Sequence, residues 1–160
     1  MDHASHVARR LHEEHLASLA LLGRFEEALA ARQAPAPGDR AWAEIARAVC
    51  AAFEDEVAHH FEFEERELFP RLADAGEPGI GMLLAEEHRT IRAVAADLLP
   101  ALRASVAGTP VDWKELRNAG FGFAERMQGH IQKEEMGLLP MVEDLIDAQT
   151  DEALALAYAA

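Results

Sequence analysis

The chain of 160 residues carries 29 Asp and Glu against 15 Lys and Arg, a formal net charge of −14, and half of its residues are hydrophobic. This length predicts one domain, residues 1–160, built around a single core. The acidic charge argues against binding to nucleic acids or to anionic membrane surfaces, because both select basic patches.

Four segments rich in Ala, Leu, Glu and Arg carry apolar residues at helical spacing. They predict long helices at about residues 5–31, 40–73, 80–104 and 112–148. Asp39 is the predicted N-cap of the second helix, and Pro70 is expected to bend or end it. A short last helix is predicted at about 151–158, capped by Thr150-Asp151-Glu152 and covering one end of the fold.

Long helices with short connections favour antiparallel neighbours. The predicted fold class is therefore all-α, an up-down-up-down antiparallel four-helix bundle with a short C-terminal helix. In the fourth helix, Gly120, Gly122 and Gly129 each cost about 1 kcal/mol relative to alanine. Glycine at these positions is expected to let another helix come close.

Cys50 is the single cysteine, which excludes an intrachain disulfide and any site built from clustered cysteines. The first residues lack the basic start and apolar run of a signal peptide. No stretch approaches the roughly 18 apolar residues that a membrane span requires. These features predict a cytoplasmic protein.

One chemical pattern occurs twice. The segment from His60 to Pro70 reads HFEFEERELFP, and the segment from His130 to Pro140 reads HIQKEEMGLLP. In each, a glutamate follows the histidine by four residues, which places the two side chains one above the other on a helix, with about 5 to 6 Å between their Cβ atoms. Each pair can therefore reach one metal ion.

The repeat extends upstream, where Glu13-Glu14-His15 and Glu86-Glu87-His88 take matching places. Each half thus offers one lone histidine and one His-x-x-x-Glu pair. If the halves pack face to face, each long helix directs one histidine to the interior at a similar depth. The predicted metal ligands are His15, His60, Glu64, His88, His130 and Glu134. Imidazole with carboxylate suits iron, zinc or manganese.

This series of ligands resembles that of the hemerythrin-like, HHE cation-binding family, over about Leu11 to Val142. The resemblance implies a non-haem centre of two iron ions with an oxo or hydroxo bridge. In that centre Glu64 and Glu134 bridge the ions and the four histidines complete its ends. Zinc or manganese could replace iron, because selection depends on geometry and supply as much as on affinity.

The chain departs from the oxygen-carrying members of that family. They have a fifth histidine one turn from the third-helix ligand, where this chain has Leu84 and Arg92, and an aspartate five residues after the last histidine, where it has Glu135. Glu134 is favoured as the ligand because it matches Glu64. With two histidines on each iron, both ions keep an open position, which favours a reaction over simple oxygen transport.

Three residues outside the series are further candidate ligands. His12 lies three positions before His15 on a similar helical face. Glu56 lies one turn before His60. Glu135 is the alternative to Glu134 as the carboxylate ligand of the fourth helix. No catalytic residue beyond the metal ligands and no other cofactor is predicted.

The other histidines and the aromatic residues have simpler interpretations. His3, His6 and His59 are predicted to lie on the surface. Core packing that keeps the metal site dry is predicted for Phe53, Phe61, Phe63, Phe69, Phe121, Phe123 and Trp113.

Several functions are compatible with such a centre, because fold and metal do not determine the reaction. The leading hypothesis is a stand-alone di-iron protein that binds or reacts with O2, NO or peroxide, with weak catalase-like turnover if it is an enzyme. The alternative is a sensor of iron, oxygen or NO, or an iron-sulfur-cluster repair protein, without turnover of its own. No second signalling domain and no cysteine-bearing N-terminal segment are visible, which disfavours both alternatives.

Overall fold

The computed structural model describes residues 3–31 and 33–160, which form helices and no strand. The helices span His6–Leu29, residues 40–74, Gly79–Val106, residues 113–145 and Ala148–Ala159. The predicted all-α class is therefore confirmed as a helical bundle. Each helix begins and ends within three residues of its predicted bounds.

Short polar side chains start four of the helices. Each accepts a hydrogen bond from a backbone N–H of the first turn, which satisfies a donor that has no partner within the helix. These N-caps are Ser5, Asp39, Asp112 and Asp147. The cap predicted at Asp39 is confirmed.

Asp151 fastens the last helix to the start of the first. Its carboxylate accepts hydrogen bonds from the Ser5 hydroxyl and from the backbone N–H groups of His6, at 2.9 Å, and Val7, at 3.2 Å. The prediction that Thr150-Asp151-Glu152 caps the last helix is therefore wrong. Asp147 caps the last helix, whereas Asp151 accepts hydrogen bonds at the start of the first helix.

Wide turns, in which an N–H bonds to the carbonyl five residues earlier, interrupt two of the long helices. They lie at Glu56–Phe61 and Glu64–Leu68 in the second helix and at Glu134–Leu138 in the fourth. Two of them start at a glutamate predicted to bind metal. Single wide turns of this kind within α-helices are frequent at functional sites.

Pro70 does not end the second helix, which continues to Asp74. A proline clashes with the carbonyl four residues earlier in a regular helix. Here the N–H of Phe69 bonds to the carbonyl of Glu64, so the wide turn shifts the bonding register just before the proline. Pro70 then stands in the first turn of a new α segment, where proline is tolerated.

The four long helices close a ring around a common interior. The first packs against the second and the fourth, and the third packs against the same two. The fifth helix packs on the first and on the turn Glu64–Leu68. The close approach expected for three glycines occurs at Gly120, where an added Cβ would lie 2.6 Å from Leu29 Cδ1, whereas Gly122 and Gly129 face open space.

Buried apolar side chains form two clusters along the bundle. The first apolar cluster includes Leu22, Phe25, Trp42, Val49, Phe53, Leu98, Leu102 and Phe123. The second apolar cluster includes Val7, Leu11, Phe63, Leu68, Leu84, Leu138 and Val142. Of the aromatic residues predicted in the core, Phe121 and Trp113 are only partly buried against the first cluster, and the rest are buried.

Candidate metal centre

The interior between the two apolar clusters holds a layer of polar side chains. Every long helix contributes to it, and each contributing side chain is at most 2% exposed. Its members are the six predicted ligands, His15, His60, Glu64, His88, His130 and Glu134. The helical packing thus brings residues from both sequence repeats to one place.

Glu134 lies at the centre of this layer. Its Oε2 is 2.6 Å from His15 Nε2 and 3.4 Å from His60 Nε2. Its Oε1 is 2.5 Å from His130 Nε2 and 3.9 Å from His88 Nε2. One carboxylate therefore separates the four histidines into two pairs, one pair on each oxygen.

Each pair of histidines forms a potential cation site with Glu134. In both groups the nitrogen and oxygen atoms that could bind a metal lie within 4.8 Å of one another. The Nε2 atoms of His88 and His130 face each other at 3.1 Å. The two groups share Glu134, so the geometry offers two neighbouring positions joined by a carboxylate.

Glu64 faces the same interior from the second helix. It is fully buried, and one of its oxygens contacts His60 Nε2. Burial, followed by the negative charge of Glu134, raises the pKa of Glu64 to about 8. Burial would also raise the pKa of Glu134, but hydrogen bonds with the four histidines hold it well below its usual range.

The pKa of each of the four histidines depends on its burial and on the carboxylate that it contacts. Burial opposes protonation of all four rings. Contact with Glu134 nevertheless raises the pKa of His130 to about 9 and raises that of His15, while the charge of Glu64 raises that of His60 well above its usual value. Burial dominates at His88 and lowers its pKa.

These groups fit a bound cation. Among the described residues, both oxygens of Glu64 and Oε1 of Glu134 are buried without a well-directed hydrogen bond, although Glu64 touches His60 Nε2 and Glu134 Oε1 touches His130 Nε2. Buried carboxylate oxygens of this kind are normally paired or bound to metal. A cation placed among the rings and carboxylates would satisfy them, and the donors are those that iron, zinc and manganese accept.

A second set of carboxylates, the outer carboxylates, faces the Nδ1 atoms of the same rings. Glu135 lies 2.7 Å from His15 Nδ1, and Glu87 lies 2.9 Å from His130 Nδ1. Looser contacts of 3.4 to 3.7 Å join His60 to Glu14 and Glu56, and His88 to Glu65. The hydrogen-bonded partners Glu135 and Glu87 fix the orientation of His15 and His130 and leave their Nε2 atoms free to bind a metal, whereas the Nδ1 atoms of His60 and His88 have no hydrogen-bond partner among the described residues.

The outer carboxylates repeat between the two halves of the chain. Glu14 and Glu87 each precede a lone histidine, and each faces the histidine of the adjacent His-x-x-x-Glu pair. Glu65 and Glu135 each follow a buried glutamate, and each faces a lone histidine. Sequence reasoning missed these roles, although the doubled glutamates in both motifs carried the signal.

The three further candidate ligands lie outside the inner layer. His12 Nδ1 is 2.9 Å from Glu135 and belongs to a different cluster. Glu56 and Glu135 face the outer nitrogens of His60 and His15. The arrangement makes Glu134, rather than Glu135, the carboxylate at the centre of the layer.

No histidine occupies the positions one turn from His88. Leu84 packs in the second apolar cluster, and Arg92 donates two hydrogen bonds, of 3.1 and 2.7 Å, to Glu65. Phe61 stacks on the His88 ring with 3.8 Å between centroids and an interplanar angle of 8°. This face of the layer is therefore closed by an aromatic ring and an ion pair.

The prediction that His3 lies on the surface is wrong. Its side chain is 5% exposed, whereas His6 and His59 are exposed as predicted. His3 is covered because the segment before the first helix packs against the fourth helix, where Glu143 accepts a hydrogen bond from the Ser5 N–H. Cys50 is buried in the first apolar cluster.

The fold and these side chains define the class of protein: a helical bundle with a candidate cation site in its interior. The sequence profile of the hemerythrin HHE cation binding domain matches residues 6–142, and the chain belongs to that family. Comparison with curated proteins and with solved structures gave no match. Among the described residues, no helix is both long and apolar enough to cross a membrane.

Proposed function

We propose that the inner layer holds two iron ions and that the protein binds or reacts with O2, NO or peroxide. The observation that carries this proposal is the division of the four histidines into two pairs by the oxygens of Glu134. A carboxylate in that position would bridge two ions. Glu64, whose buried oxygens make no well-directed hydrogen bond among the described residues and touch only His60 Nε2, would be the second bridge.

The donor set supports redox chemistry at this centre. Two histidines for each ion, with two shared carboxylates and an oxo or hydroxo bridge, leave coordination positions for a small ligand. Bound iron would supply electron transfer to or from that ligand. Zinc or manganese accepts the same donors, so metal identity is the first point to test.

The protein's own residues would orient the centre and limit the access of water to it. Glu135 and Glu87 would hold the Nδ1 sides of His15 and His130 and set which nitrogen of each ring is free. Phe61 covers His88, and Phe63 and Phe69 are buried in neighbouring turns. A dry and rigid surround strengthens electrostatic interactions within the centre.

The proposal also covers the topology of the helical bundle and the cellular location of the protein. We infer a single domain, residues 1–160, whose long helices run up-down-up-down. The closed ring of helix contacts and the short connections support this arrangement. The single buried cysteine is compatible with the cytoplasm.

Metal analysis of the protein purified in air tests the proposal. We expect two irons per chain and ultraviolet-visible bands of an oxo-bridged iron pair that shift when azide, NO or peroxide is added. Oxygen release from peroxide would identify an enzyme, whereas a spectral shift without turnover would indicate a binding or sensing protein. Absence of iron, or a single colourless zinc, would contradict the redox function.

A further inference from the structure

A second cluster of potential metal ligands lies outside the inner layer. It consists of His3, His12 and Glu135, which each offer one nitrogen or oxygen atom within 4.8 Å of those of the other two. His12 Nδ1 is 2.9 Å from both oxygens of Glu135. The rings of His3 and His12 are tilted, with centroids 5.2 Å apart.

His3 has a free nitrogen in a buried position. Its side chain is 5% exposed, and its Nε2 has no hydrogen-bond partner among the described residues. Its Nδ1 lies 3.3 Å from an oxygen of Glu143. A histidine that binds a metal through one nitrogen usually donates the other N–H to a carboxylate, and Glu143 is placed for that role.

Contacts to the main chain fix the position of His3. Arg9 donates a hydrogen bond of 2.9 Å from its guanidinium to the His3 carbonyl, and the Ser5 N–H donates to Glu143 at 3.1 Å. The same carboxylate therefore contacts both the imidazole and the backbone of this segment. Because these contacts already restrict the segment, little conformational freedom remains to be lost when a cation binds.

We propose that His3, His12 and Glu135 form an outer site for a divalent transition-metal cation of the zinc type. Two imidazoles and one carboxylate are a known donor set for zinc with an open position. Zinc binds such atoms at about 2.0 to 2.2 Å, so donors on one ion lie roughly 3 to 4 Å apart. Binding would draw the three ligand atoms, which lie within 4.8 Å of one another, to that spacing.

The location of the cluster allows a cation to reach it from solvent. The side chains of His12 and Glu135 are 23% and 25% exposed. Glu135 also contacts His15 Nδ1 at 2.7 Å, so the outer site lies one side chain away from the inner layer. The outer site does not require iron in that layer.

Zinc bound per chain, measured by equilibrium dialysis and elemental analysis, tests the outer site. The wild type is compared with His3→Ala and His12→Ala at the same free zinc concentration. We expect the wild type to hold one more zinc per chain than either variant, while iron content is equal in all three. His6→Ala removes an exposed histidine nearby and is expected to match the wild type.

Equal zinc content in the wild type and His3→Ala would overturn the proposal. Loss of the ion in His3→Ala with retention in His12→Ala would also overturn it, since His3 would then bind without the other two residues. Anomalous scattering from zinc-loaded wild-type crystals gives an independent result if a variant folds poorly. Failure of the inner centre would change the iron count but not the zinc difference.

Discussion

Among single residues, Glu134 has the largest number of contacts with the candidate ligands, because it meets all four histidines. Its neighbour Glu135 meets only the outer nitrogen of His15 among the inner rings. The two glutamates are adjacent in sequence but differ in burial, since Glu134 is fully buried and Glu135 is a quarter exposed. This contrast provides a matched pair of variants.

Glu134→Gln keeps the shape of the side chain and removes the charge between the two histidine pairs. We expect it to lose most bound metal, because the shared anionic ligand is gone. Glu135→Gln is expected to keep both inner ions, with an affinity weaker by about 10- to 100-fold, the usual effect of removing an outer partner. The metal content and metal affinity of the two purified variants test this prediction. A larger loss of metal in Glu135→Gln than in Glu134→Gln would contradict the role given to Glu134.

The raised pKa values of His130 and Glu64 predict a pH-dependent stability for the protein stripped of metal. The folded state holds a proton on His130 up to about pH 9, whereas an unfolded histidine loses it near 6.5. Glu64 acts in the same direction, up to about pH 8. A raised pKa contributes stability that is complete below the unfolded value and is lost as pH rises through the folded value.

The free energy of unfolding of the metal-free protein is therefore expected to fall between about pH 6.5 and 9, by up to about 1.4 kcal/mol per pH unit for each proton involved. Urea unfolding at several pH values measures it. The metal-loaded protein is the control and should lack this fall, because bound metal replaces the protons. A metal-free protein that gains stability over this range would contradict the prediction.

At the level of helices, close packing depends on a few glycines. A Cβ added at Gly81 would lie 2.8 Å from Phe69 Cβ, which belongs to the segment just after a wide turn. Gly122 has nothing within 4 Å. Gly81→Ala should therefore destabilise the protein by about 1 to 3 kcal/mol through overpacking, whereas Gly122→Ala should stabilise it by up to about 1 kcal/mol. Chemical denaturation of both variants tests the contrast, and equal effects would contradict it.

The junction of the first and last helices depends on Asp151. Asp151→Asn replaces an anionic acceptor of three hydrogen bonds and should cost about 1.5 to 3 kcal/mol near neutral pH. These contacts lower the pKa of Asp151, so its contribution is lost as the pH falls through the folded value. The difference in stability between Asp151→Asn and the wild type should therefore become smaller at acid pH. Glu152→Gln, at an exposed neighbouring position, should show no such difference in thermal melting at either pH.

On the scale of the whole molecule, two apolar clusters are joined through a layer of buried ionisable groups. Removing metal leaves these groups in the interior with incomplete partners, which is costly. A chelator should therefore lower the melting temperature, and added metal should raise it again. The free energy of unfolding should increase by about 1.4 kcal/mol for each tenfold of free metal above the dissociation constant.

His60→Ala provides the matched control for this experiment, since it is expected to lose most bound metal. Its melting temperature should respond little to the chelator. An unchanged melting temperature in the wild type, with metal removal verified by elemental analysis, would show that the ions contribute nothing to stability.

The sequence by itself determined the helices, the family and the polar layer, because helical periodicity and the spacing of His60 with Glu64 and His130 with Glu134 are local properties of the chain. Only the tertiary structure decided which oxygen of Glu134 meets which histidine, since those distances depend on how four helices pack. The register shift just before Pro70 was not predicted, and Asp151 and His3 were misjudged, for the same reason. A wide turn, a neighbouring helix and Glu143 determine their roles, and each of these contacts involves chain geometry that spacing does not encode.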